Sequence, residues 1–356
     1  MNPAETDGVM SESLVLMTPG RAMLNNLPVG LFGSVMGVTG LSVAWRLAHV
    51  RYGAPEWIAL AFAAIAVFAF VLMLGGYAIK LVTAFPAVRE EFLHPIVGNL
   101  FGTVLNSLLQ LPIVVEPFAH RLAQIMWMAG AAGMAFFAWH IASRWMTNRQ
   151  RLAHATPAWV IPVVGVLSVP LALPALELPH LHGLMVAALA IGLFFAVPLF
   201  TLIFARLLFE PPLPAALKPS LLILVAPFAV GYSTYTITAG QTDLFAEALF
   251  MLTLFLLAVL LGQLRDLPVC CPFRVAWWSV SFPLAACSVA ALRFAVVRPG
   301  VITDTIALAL LTLATLVIAG LLVRTLADMA KGSFVTSRMR DHGDHKSLPS
   351  ARAVRN

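Results

Sequence analysis

The sequence predicts an all-α integral membrane protein, with ten transmembrane helices arranged as five helical hairpins around a central pore. Three observations carry this reading. Of the 356 residues, 60% are hydrophobic and 11% charged, against about 25% charged in an ordinary soluble domain. The apolar residues fall into ten segments, at 27–48, 56–79, 96–115, 119–142, 157–176, 183–207, 218–238, 242–264, 275–297 and 300–325, each close to the roughly 20 residues a helix needs to cross a bilayer. Helix breakers then alternate, dense in the odd-numbered segments and sparse in the even ones.

Residues 1–26 carry Glu5, Asp7 and Glu12 and lack the basic start, apolar core and small-residue cleavage site of a signal peptide. They read as a short cytoplasmic arm. Residues 27–326 form the ten-helix pore domain. Its first helix has Pro28 at the start, then Gly33 and Gly37 among Ser34, Thr39 and Ser42. The third repeats this with Pro95, Gly98 and Gly102 among Asn99, Thr103, Asn106 and Ser107. The fifth has Pro157, Pro162, Gly165 and Pro170 with Ser168, and the seventh has Pro219, Pro227 and Gly231 with Ser233, Thr234 and Thr236. The ninth has Pro272 and Pro283 with Ser279, Ser281 and Ser288. Even helices are smoother, as in the eighth, "LFAEALFMLTLFLLAVLLGQL"; Pro198 is the clear exception and Gly75, Gly76 and Gly130 are milder ones. Residues 327–356, with Lys331, Arg338, Arg340, Lys346, Arg352 and Arg355 among Gly, Ser and Pro, read as a disordered basic cytoplasmic tail beside the membrane.

Lys and Arg collect in cytoplasmic loops. With the N-terminus inside, 17 of the 22 Lys and Arg residues fall on that side and five, Arg46, Arg51, Arg121, Arg293 and Arg298, on the other. Both termini are therefore expected in the cytoplasm. The formal charge of +6 reports orientation and attraction to membrane lipid, and no nucleic-acid partner is needed to explain it.

A proline removes a backbone donor, which membrane depth tolerates only where protein or water satisfies the backbone again. The broken odd helices should face inward and the even ones form an outer ring. Five such helices enclose a lumen of hydroxyls and backbone without full charges. That composition points to low-affinity anion passage, because a conducting site must release its ion and cation paths usually carry acidic rings. The competing account is that small and polar residues only let helices pack closely; it leaves the alternation unexplained.

Other candidates are weaker. His180 and His182 lack a third ligand nearby, so no metal site is expected. Cys270, Cys271 and Cys287 form neither a disulfide framework nor a zinc spacing. His94, beside Glu90 and Glu91, reads as a helix start, and Arg293 and Glu247 as snorkelling or structurally paired. No nucleophile, cofactor or nucleotide motif is present, so neither an enzyme nor a cofactor is expected.

"LPVGLFGSVMGVTGLSVAWR" (27–46), "VREEFLHP" (88–95), "LVAPFAVGY" (224–232) and "AWWSVSFP" (276–283) resemble the bacterial tellurite-resistance/C4-dicarboxylate transporter family, which includes the plant guard-cell slow anion channels. The resemblance runs through nearly all ten helices in order. It implies a homotrimer in which each subunit has its own pore, formed by five inner helices and closed by a Phe of the ninth. Carried onto this sequence, Phe282 is the gate, with Phe32, Gly33, Ser281 and Pro283 as its neighbours. The expected lining is Ser34, Asn99, Thr103, Ser168, Phe228, Ser233, Ser279 and Ser288. Pro283 would let the helix bend and swing Phe282, while Ser281, Ala285 and Ser288 follow the i, i+4, i+7 spacing of one helical face. Ordinary packing of Phe282 is the alternative.

Two functions follow. The first is a gated channel for small anions such as chloride or nitrate in a bacterial inner membrane. The second is a proton-coupled exporter of dicarboxylate, sulfite or tellurite-related oxyanions. Proton coupling calls for an intramembrane titratable group, which the odd helices lack.

Overall fold

A computed structural model describes residues 27–266 and 273–330. The expected arm, most of the expected tail, and Cys270, Cys271 and Pro272 lie outside them. The described residues form helices and connecting loops with no strand. Ten helical spans are long and apolar enough to cross a membrane: Val29–Tyr52, Glu56–Thr83, Val97–Val115, His120–Thr147, Pro157–Leu176, His182–Phe209, Ala215–Ala239, Leu244–Leu264, Val275–Val297 and Val301–Ala330, numbered spans 1 to 10. Span 10 thus continues into the stretch assigned to the tail.

The alternation of breakers reappears as an alternation of burial. In the odd spans 61–72% of the most apolar stretch is buried, against 28–39% in the even ones. Each odd span packs on the even span that follows it, and spans 1, 3, 5, 7 and 9 touch in cyclic order, the ninth returning to the first.

Local winding differs in the same way. Even spans are single α-helices, and span 6 continues through Pro198. Every odd span starts as a 3₁₀ helix and changes to α: the 3₁₀ segments are Val29–Leu31, Val97–Phe101, Pro157–Trp159, Ala215–Val225 and Val275–Val280, and span 5 adds Gly165–Ala172. In spans 5, 7 and 9 a proline, Pro162, Pro227 or Pro283, sits just past the change. Pro227 is in the α-segment Ala226–Ala239 and Pro283 in Ser281–Val297, each within the first turn. There the missing N–H would lack an intrahelical acceptor anyway. Pro283 therefore marks a change of winding, where the sequence suggested a bend in an α-helix.

Spans 1 and 9 approach closely through glycine. A Cβ on Gly37 would fall on the Ser281 side chain and lie 3.1 Å from the Phe282 amide nitrogen, and one on Gly40 would lie 2.9 Å from the Ala285 Cβ. Ser281 Oγ donates to the Gly33 carbonyl at 3.3 Å and to the Trp278 carbonyl at 2.7 Å. Gly37→Ala should therefore lower the thermal midpoint by several degrees, reflecting an overpacking penalty of about 1–3 kcal/mol. Gly262→Ala is the control, because its Cβ meets nothing within 4 Å; the substitution should be neutral or mildly stabilising.

Polar ties hold the span ends. Arg51 and Tyr52 both bond Asp304, at 3.3 and 2.7 Å, and Arg298 Nε donates to Glu247 at 2.8 Å. Asp243 caps span 8 by accepting from the Ala246 N–H at 3.1 Å. The Tyr235 hydroxyl, followed by that N–H, holds its carboxyl below the usual carboxylate range.

Candidate functional site

A cavity of about 440 Å³ lies among the five odd spans and takes lining residues from all of them. Part of the lining recurs at every third residue: Gly30, Gly33 and Met36 in span 1; Val97, Leu100, Thr103 and Asn106 in span 3; Ala158, Ile161, Val164 and Leu167 in span 5; Leu217, Ser220, Ile223 and Ala226 in span 7; Ala276, Ser279 and Phe282 in span 9; others, such as Ser168, Val230 and Trp278, fall between. A 3₁₀ helix has three residues per turn, so side chains at i and i+3 eclipse one another. In spans 3, 7 and 9 the 3₁₀ start supplies two or three successive members of the series, Val97 and Leu100, Leu217, Ser220 and Ile223, and Ala276 and Ser279, and the series runs on into the α-segment.

Three column hydroxyls share one geometry. Thr103, Ser220 and Ser279 each donate at 2.6 Å to the carbonyl three residues back, those of Leu100, Leu217 and Ala276. An anion that takes such a proton must displace a backbone acceptor, and exchanging one hydrogen bond for another nets little. The wall therefore suits weak, reversible contact with an anion. Among the described residues, the Oδ1 of Asn106 and the Oγ1 of Thr156 have no protein partner; both residues line the cavity.

Charge enters at the end where the odd spans begin. Glu91 and Arg274 are the lining residues that carry full charge. Glu91 comes from the connecting helix Phe85–Leu93. Its Oε1 meets the Lys80 ammonium at 2.8 Å, and its Oε2 accepts from the Tyr77 hydroxyl at 3.0 Å. Lys80 is fully buried and donates also to the Leu27 carbonyl at 2.7 Å. By sequence, Lys80 counts as a loop cation and the odd helices hold no acidic group; the carboxylate arrives from a connection. His94 is a helix start as expected, its Nδ1 accepting from the Ile96 and Val97 N–H groups at 3.2 and 3.1 Å.

Of the residues singled out by sequence, Gly33, Thr103, Ser168, Ser279, Phe282 and Pro283 line the cavity. Phe282 is half-buried, and a Cβ on Gly33 would meet nothing within 4 Å. The remaining residues face elsewhere. Phe32 is fully buried with its ring edge-on to Phe70 and Tyr77, and Phe228 meets Phe200 edge-on. Ser34 and Ser233 donate to the Leu31 and Ala229 carbonyls, and Asn99 to that of Pro95. Ser281 and Ala285 face the glycines of span 1, and Ser288 is fully buried. The cause is phase. The i, i+4, i+7 stripe through Ser281 belongs to the α-segment Ser281–Val297 and faces the glycines of span 1, whereas Ala276, Ser279 and Phe282 face the cavity from another side. Trp278 lines the cavity and its indole N–H donates to Thr325 of span 10 at 3.0 Å, which makes it inter-helix packing. Ser220, Asn106 and Glu91 were missed; steps of three from Pro214 and from Thr103 reach the first two.

The chain is similar to several described proteins. It is 27% identical over 283 residues to the S-type anion channel SLAH3 of Arabidopsis thaliana, covering 75% of this chain and 43% of that one. It is 26% identical over 287 residues to the guard cell S-type anion channel SLAC1 of the same plant, covering 76% and 50%. A tellurite resistance protein TehA homolog of Haemophilus influenzae is 24% identical over 282 residues, covering 75% and 81%. The chain spans about half the length of the plant relatives. The family model described as voltage-dependent anion channel matches residues 26–326, which takes in nine spans and most of the tenth. From the first leading proline to the last lipid-length helix, the chain belongs to the voltage-dependent anion channel family.

Proposed function

We propose that this protein is a gated channel that passes small anions such as chloride or nitrate through the five-span cavity, with Phe282 as the plug. The observation that carries this reading is the column Ala276, Ser279, Phe282: a half-buried ring one 3₁₀ turn beyond a hydroxyl whose proton is already engaged. Weak donors suit an ion that must be released, and hydrophobic constrictions gate by excluding water. Relatives named as anion channels support the class of ion. The protein acts as a homotrimer in a bacterial inner membrane with both termini cytoplasmic. Lys80 and Arg206 are buried; removing them from the 17 basic residues of the proposed inner side leaves 15 against five, a bias that supports the proposed orientation.

One observation favours a second reading, proton-coupled export of an oxyanion: the Glu91 carboxylate on the cavity wall. Flux in sealed vesicles separates the two. The channel reading expects chloride and nitrate to follow their gradients with or without a proton gradient. It also expects Gly33→Leu to cut that flux at least about tenfold while the protein stays folded, because the side chain enters open space and leaves a helix better formed by roughly 1 kcal/mol. Movement of labelled sulfite or dicarboxylate only with a proton gradient, and no chloride flux, would decide for the exporter.

A further inference from the structure

A second cavity, of about 720 Å³, lies at the end of span 4 and shares no lining residue with the first. Its wall includes Leu93, His140, Arg144, Arg149, Arg151 and His154 and contains no carboxylate. Arg144 is fixed by donating from Nη2 to the Leu93 carbonyl at 3.0 Å. The His140 ring stacks with those of Phe92 and Phe136, at 5.9 and 6.3 Å between centroids. Arg149 and Arg151 are exposed, and among the described residues neither has an ion-pair partner. Three guanidinium groups and two imidazoles therefore converge on one hollow with nothing on its wall to neutralise them.

The ligand chemistry follows from the donors and the setting. Guanidinium forks match the oxygens of a phosphate in pairs, and basic residues near a membrane surface attract anionic headgroups. The hollow also opens onto an apolar shelf. Phe136 and Trp139, one turn and one residue before His140, are each 64% exposed and lie 5.7 Å apart. We propose that this cavity binds the phosphate of an anionic phospholipid, with the headgroup among Arg144, Arg149 and Arg151 and an acyl chain along Phe136 and Trp139. The site is built where span 4 meets the segment leading into span 3, two residues from Glu91 on the wall of the first cavity. An occupant there braces the mouth of that cavity.

The test is thermal unfolding of the full-length protein, stripped of native lipid in detergent, and it does not depend on ion flux. Short-chain phosphatidylglycerol, short-chain phosphatidylcholine and glycerol 3-phosphate are added in parallel to the native protein and to the Arg149→Gln/Arg151→Gln variant. Phosphatidylglycerol at a hundredfold excess over its dissociation constant should raise the native midpoint by about 5 °C. Phosphatidylcholine should not, and the variant should lose most of the shift while starting from an unchanged midpoint. An equal shift with glycerol 3-phosphate would overturn the lipid and assign the site to a soluble phosphate ester. No shift with any phosphate, or an undiminished one in the variant, would overturn the site itself.

Discussion

Phe282→Ala should raise chloride and nitrate conductance under voltage clamp by at least about tenfold over the native protein at matched surface expression, because burying a Phe side chain is worth about 1.5–3 kcal/mol and each 1.4 kcal/mol is tenfold in an equilibrium. Phe282 faces a cavity, so its truncation leaves no collapsed core. The thermal midpoint should move little, unlike that of Phe32→Ala, where a fully buried ring packed on Phe70 and Tyr77 is lost at about 3–5 kcal/mol. The comparison discriminates between plug and packing. A plug changes current and leaves stability, whereas a packing residue does the reverse. Unchanged current in Phe282→Ala, with a lowered midpoint, returns Phe282 to packing.

Lys80→Met should destabilise the protein about as much as Phe32→Ala and more than Gly37→Ala. Removing one partner of a buried ion pair costs about 3–5 kcal/mol, because the remaining charge keeps its desolvation penalty and loses its attraction; the midpoint should fall by about 10 °C. The methyl-thioether chain replaces the stem of a fully buried Lys but takes the ammonium from Glu91 Oε1 and from the Leu27 carbonyl. Lys80→Met/Glu91→Leu should recover much of the loss, since replacing both partners by apolar groups removes the charge with its penalty. In the channel reading, anion flux through surviving Lys80→Met protein should also fall, because a carboxylate on the wall then acts without its countercharge. Additive losses in the double variant would mean that the pair is not coupled.

The fold was largely legible because membrane depth leaves few options. Ten apolar segments become helices since no other open structure satisfies its backbone in lipid, and the density of prolines in alternate segments foretold which helices are buried. The site was legible in part. Thr103, Ser168, Ser279, Phe282 and Gly33 reach the cavity, but Ser34, Ser233 and Ser288 lie on other faces of α-helical segments, where their hydroxyls are buried against neighbouring backbone and spans. Nothing in single-residue propensity announces a 3₁₀ start; a proline just past it marks three of the five, in spans 5, 7 and 9. The Lys80 and Glu91 pair was illegible for another reason. Its partners lie on different helices, and a Lys at the end of an apolar run looks the same in sequence whether it points to water or to a carboxylate.

The 3₁₀ start of span 9 has a mechanical consequence. A residue advances 120° and about 2.0 Å in 3₁₀ winding, but 100° and 1.5 Å in α. Rewinding the six residues Val275–Val280 as α-helix would act as a screw with a changed thread, turning Phe282 by about 120° around the span axis and drawing it back by about 3 Å. In the channel reading such a turn carries the ring from the lumen towards a neighbouring span, and the Ser279 carbonyl is left without an i+4 donor because residue 283 is proline. If Phe282 is the plug, the energy to move it is that of changing i+3 bonds for i+4 bonds within one short segment, with the remaining spans in place.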